Sequence, residues 1–125
     1  MMTASQERRK HPRLQKNIPL KICSEIADFV TETRDLSCSG AFCRINKYVD
    51  PMTKLKIHLL LPVRSIGAAK TKRVSCEGVI VRIEAITGSD HYNVAIFFSD
   101  IEPRDVTVLS DFLNNAFEEK QESAR

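Results

Sequence analysis

The sequence predicts an all-β fold with one helix: a six-stranded antiparallel β-barrel with a C-terminal amphipathic α-helix packed on it. Three observations carry this. Six short segments of alternating or β-branched apolar residues follow one another, punctuated by Gly, Pro, Asp and Ser. Helical periodicity occurs only at the end, after Pro103. A run of strands with short links pairs as an antiparallel barrel or sandwich, and 125 residues suffice for one such domain.

Residues 1–17 are polar and patternless and are expected to form a flexible basic segment. Ile18, Leu20, Ile22, Ser24 and Ile26 then alternate with polar positions, which predicts a first, half-buried strand. Residues 29–36 are β-branched and read as a second strand, and Cys38-Ser39-Gly40 as a turn. Residues 41–45 give a third strand, after which Asp50-Pro51 breaks the chain. Leu55, Ile57, Leu59 and Leu61 alternate with Lys54, Lys56 and His58 in a fourth strand that Pro62 should end. A basic loop, 63–72, is expected next.

In the fifth strand, Val74 and Cys76 hold one phase and Val79, Val81 and Ile83 the other, so a β-bulge is predicted at Glu77-Gly78. Tyr92, Val94, Ile96 and Phe98 form the sixth strand. Ala95 and Phe97 make its second face apolar too, and the following helix is expected to cover it. Pro103 suits a first helical turn. Val106, Leu109, Phe112/Leu113 and Ala116/Phe117 recur at helical spacing, predicting a helix over 103–118 and a polar tail over 119–125. The barrel and helix together make one domain, 18–118.

Composition excludes several classes. The longest apolar run is Leu59-Leu60-Leu61, too short to span a membrane. No apolar stretch follows Met1, so no secretory signal is expected and the protein should be cytoplasmic. The four cysteines, Cys23, Cys38, Cys43 and Cys76, contain no CxxC pair, and His11, His58 and His91 follow no metal-ligand spacing, so neither metal nor cofactor is expected. Cys23, Cys43 and Cys76 read as small buried residues on strands. No nucleophile–base–carboxylate constellation emerges, so the chain is not expected to be an enzyme.

Charge is local. The net charge is +3, yet Arg8, Arg9, Lys10, Arg13 and Lys16 against Glu7 give residues 1–16 a net +4, leaving the body nearly neutral. A second cluster comprises Arg64, Lys70, Lys72 and Arg73, with no role assigned by sequence. Local charge suits a small anion better than a long phosphate backbone. The aromatic residues fall mostly at core phases, Phe42 and Tyr48 excepted, so nucleic acid is a poor fit as partner.

Two motifs carry chemistry. Arg9 and Arg13 form RxxxR, preceded by Arg8. Asp35, Ser37 and Gly40 form DxSxxG at the end of the second strand. On a strand, Asp35 and Ser37 share a face opposite Leu36, so both are expected to point outward. Gly40 permits a positive φ or close backbone approach by a ligand. A carboxylate, a hydroxyl and a bare backbone can grip the donor edge of guanine. Arginine reads the O6/N7 edge or pairs with phosphate. Asp, Ser and Gly also form turns without any ligand, and solvated arginines are common in basic tails.

On these motifs the sequence resembles the PilZ family of bacterial cyclic di-GMP receptors, over nearly the whole chain. The resemblance implies that the RxxxR segment wraps the nucleotide against the barrel. Arg9 and Arg13 match arginines that bind guanine and phosphate, and Arg8 a frequent first arginine. Asp35 and Ser37 match residues that hydrogen-bond a guanine, and Gly40 the turn beside them. The chain departs from the family at Val94-Ala95-Ile96-Phe97-Phe98, where members often carry Gly-Val before the final Phe. With no output module attached, the protein should engage an unidentified effector protein, as a monomer or weak homodimer. The alternatives are a PilZ-type docking module without nucleotide and a nucleic-acid-binding barrel. Exposed stacking aromatics would favour the last.

Overall fold

Period-two burial builds the barrel. The computed structural model describes residues 12–65 and 67–123. The strands are β1 (Pro19–Cys23), β2 (Asp28–Leu36), β3 (Gly40–Ile45), β4 (Lys54–Ser65), β5 (Ala68–Ala85) and β6 (Tyr92–Ile101), and the helix is α1 (Pro103–Ser123). Leu20 and Ile22 of β1, Ile57, Leu59 and Leu61 of β4, and Val94, Ile96 and Phe98 of β6 alternate inward and are buried. All pairings are antiparallel, and the order β1-β2-β3-β6-β5-β4 closes on itself. Closure removes the free edges an open sheet would expose.

The helix starts at Pro103, whose fixed φ and missing N–H suit a first turn, with Asp105 favourably placed at the positive end of the helix dipole. Leu109, Phe112 and Leu113 are buried and join one continuous core with Leu14, Leu36, Leu61 and Val74. The helix packs on β4 and β5 and runs to Ser123, five residues beyond the expected 118.

Several expectations are corrected. β1 stops at Cys23, and Ile26 is 62% exposed rather than inward. Ser24 ends the strand: its hydroxyl donates to the Ala27 carbonyl at 2.7 Å and accepts from the Ala27 amide at 3.1 Å. β4 runs through Pro62 to Ser65, and 63–65 and 68–72 form the arms of a β-hairpin with Gly67 (φ 80°) in its turn, rather than a loop. Among the described residues only β5 pairs with β4 beyond Leu59, so a proline without an N–H is tolerated there.

The phase of β5 also differs. Val74, Cys76, Gly78 and Ile80 stay in phase and buried, while Val81 is exposed. The register does shift at Glu77/Gly78, but the extra residue there is Ser99 of β6. A second shift at Ile80/Arg82 makes Val81 the extra residue of β5. Two bulges on opposite strands read, in sequence, like one phase change. Finally, the helix does not cover the second face of β6: Phe97 remains 49% exposed.

The expected flexible segment does not extend through residue 17. Leu14 is 4% exposed, and its amide and carbonyl pair with those of Leu36 at 2.8 and 2.9 Å. The fully buried Thr33 fastens the next residues: its hydroxyl donates to the Lys16 carbonyl at 2.7 Å and accepts from the Ile18 amide at 3.0 Å. Thr33→Val keeps shape but strands both backbone groups. The expected cost is about 1–3 kcal/mol, read as a lower midpoint in urea with an unchanged slope.

Candidate functional site

The pairing of Leu14 with Leu36 turns both side chains into the core and leaves the residues before them, Arg13 and Asp35, on the outer side. Arg13 and Asp35, 22 residues apart in sequence, thereby meet: Arg13 Nη1 lies 3.4 Å from Asp35 Oδ1. Asp35 pairs with Phe42 across β2–β3 on the same outer face. Beside them opens a cleft of about 900 Å³, lined by Gln15 to Asn17, Thr31 to Asp35, Phe42 and Arg44. That volume is within the range of small-molecule sites.

The electrostatics favour an anion. The lining includes three basic residues, Lys16, Arg34 and Arg44, against Glu32 and an Asp35 already engaged by Arg13. Arg44 has no carboxylate within 4 Å among the described residues, and its Nε is buried without a hydrogen-bond partner there. Its backbone is fixed, since the Thr31 hydroxyl donates to its carbonyl at 2.7 Å. Sequence reasoning missed Lys16, Arg34 and Arg44 as cleft residues. Arg44 was legible in principle, being two residues on from Phe42 on the outward phase of β3. Arg34 was not: the register irregularity between Thr33 and Asp35 breaks the alternation at its position.

The six predicted residues fare differently. Arg8 and Arg9 lie outside the described residues. Arg13 and Asp35 are brought together as above. Ser37 does not face outward: it is 4% exposed, because β2 ends at Leu36 and the alternation stops there. Its amide donates to the Gly40 carbonyl at 2.9 Å, and its hydroxyl accepts from the Ser39 amide at 3.2 Å, so it ties the β2–β3 turn. Gly40 has no positive φ. Any Cβ there would collide with the Ile96 carbonyl oxygen, so the close approach of β6 by itself demands glycine.

Other reactive groups stand apart. Burial pushes the Cys43 and Cys76 thiols up to about 12. Cys23, at the end of β1, is only half-buried, contrary to expectation. Burial, with Arg73, Lys21 and Lys56 nearby, lowers the pKa of His58, which shares a 2.8 Å hydrogen bond with Ser75. Among the described residues no three His, Cys, Asp or Glu side chains cluster as metal ligands, and no helix is long and apolar enough to cross a membrane. At pH 8 only roughly one in ten thousand of the Cys43 and Cys76 thiols is ionised. Alkylation of the native protein, followed by mass spectrometry, should modify Cys23 and Cys38 well before Cys43 and Cys76. Equal rates at all four would contradict the buried placement.

The fold has close structural relatives. MotI/DgrA, an inhibitor of motility from Bacillus subtilis, superposes with a TM-score of 0.76 at 18% identity, over 94% of this chain and 53% of that one. MrkH of K. pneumonia in its apo state gives 0.68 at 14% identity, over 92% and 53%. The PilZ domain of YcgR from Escherichia coli, solved with c-di-GMP, gives 0.65 at 14% identity, over 94% and 97%. This chain thus spans about half the length of the MotI and MrkH chains. None of the curated protein sequences compared with it matches. The closed six-stranded barrel, its single helix and a PilZ domain profile that matches residues 7–115 agree: the chain belongs to the PilZ domain family.

Proposed function

We propose that this protein is a cyclic di-GMP receptor without catalytic activity, acting through an unidentified effector protein. The observation that carries the proposal is the meeting of Arg13 with Asp35 at the rim of a cation-lined cleft. The complex of the YcgR PilZ domain with c-di-GMP supports the choice of ligand.

In this reading Arg13, with Arg8 and Arg9, clasps the nucleotide against the barrel. The Arg13–Asp35 pair is exposed, at 55% and 22%, and worth at most about 1 kcal/mol. A ligand can therefore part the two residues at small cost. Arg13 then turns to a phosphate or to the O6/N7 edge of guanine, and the freed Asp35 carboxylate accepts from the N1–H and N2–H donors. Arg44 and Lys16 meet the remaining phosphate charge from the cleft. Ser37 and Gly40 act by holding the turn against β6, not by touching the base.

Isothermal titration of cyclic di-GMP, with GTP as control, tests this. Arg13→Ala and Arg44→Ala should each weaken binding roughly tenfold or more, the worth of one charge-assisted hydrogen bond. The melting temperature of free Arg13→Ala should stay within a few degrees of wild type. Wild-type affinity in both variants would remove the clasp, and no heat from the wild type would remove the receptor.

A further inference from the structure

Phe97 is nearly half exposed, although Ile96 and Phe98 on either side of it are buried. It points outward from β6, on the same face as Asp35, Phe42 and Ala95. Its partner across β3–β6 is Gly40, and on its other side Val79 of β5. The amide of Phe98 donates to the Ser39 carbonyl at 2.9 Å, which locks this stretch of β6 to the β2–β3 turn. Gly40 must be bare because of the Ile96 carbonyl, so the residue paired with Phe97 carries no side chain.

We infer that Phe97 is the aromatic floor on which one planar purine base of the bound nucleotide stacks, beside the bare backbone of Gly40. The inference rests on the receptor reading and extends its site from β2 and β3 onto β6. β6 lies two strand spacings from β2, roughly 10 Å. A base over Phe97 is therefore displaced from one held by Asp35, as two bases of a single dinucleotide can be. The apolar patch is one ring with Val79 and Ala95 beside it. A stable protein interface needs about 800 Å² from each partner. A base needs only one flat apolar ring under it.

The chain contains no tryptophan, so Phe97→Trp installs a single fluorescent reporter at the proposed floor. It should bind cyclic di-GMP, and its emission should fall saturably with the midpoint seen by calorimetry. Leu60→Trp, exposed on β4 two strands away from β6 round the barrel, should keep its emission. Phe97→Ala should weaken binding about five- to 150-fold, the range for losing one base stack, without lowering the melting temperature. Unchanged affinity in Phe97→Ala and unquenched emission in Phe97→Trp, with Arg13→Ala still defective, would overturn the floor and leave the receptor standing. A wild type that binds no cyclic di-GMP would overturn both.

Discussion

The pairing of Leu14 with Leu36 is the constraint on which the site depends. It is small: two backbone hydrogen bonds and two buried leucines. Yet it joins the N-terminal segment to the end of β2, outside the barrel's own ladder. Because alternate residues face opposite ways, burying 14 and 36 turns Arg13 and Asp35 outward together. Thr33 reinforces the arrangement two residues further along the segment by satisfying the Lys16 carbonyl and the Ile18 amide at once. The cleft thus has one wall made by the barrel and one made by a segment that these contacts help to hold.

Much of the barrel was legible because strands with one buried face write their burial into period two. β4 and β6 are the clearest cases. Legibility failed where burial and pairing come apart. Pro62 reads as a stop, and nothing local reveals that β4 has an unpaired side there. The two bulges flanking Gly78 compensate in space, which single-strand alternation cannot express. Leu14 stands alone among polar residues, so no periodicity marks it as core. Its burial depends on a partner, Leu36, that is remote in sequence.

The site was legible in type more than in geometry. Asp35 faces outward as its phase requires. Ser37 breaks the rule because its residue lies past the strand end, where turn hydrogen bonds decide orientation. Gly40 is needed for a different reason from the one its motif suggests, since the close neighbour is the β6 backbone. Arg44 carries no motif at all. What marks it is three-dimensional: a half-buried arginine whose Nε has no hydrogen-bond partner and which has no carboxylate within 4 Å among the described residues. Such a group is costly unless something anionic or water solvates it.

Lys16 links the site to the rest of the molecule. It lines the cleft, its carbonyl is held by Thr33, and its ammonium sits 5.8 Å from the centre of the Phe112 ring on α1. It also lines a second groove, of about 1100 Å³, between the helix and the β4–β5 hairpin, together with Lys70, Lys72 and Arg104. A contact of this kind at an exposed site is worth only about 0.5–1 kcal/mol. A phosphate in the cleft competes for the same ammonium on comparable or better terms. The helix face and the cleft therefore draw on one charge, and what occupies the first bears on the electrostatics of the second. In a closed barrel, that shared lysine is a physical connection between the cleft and the helix surface.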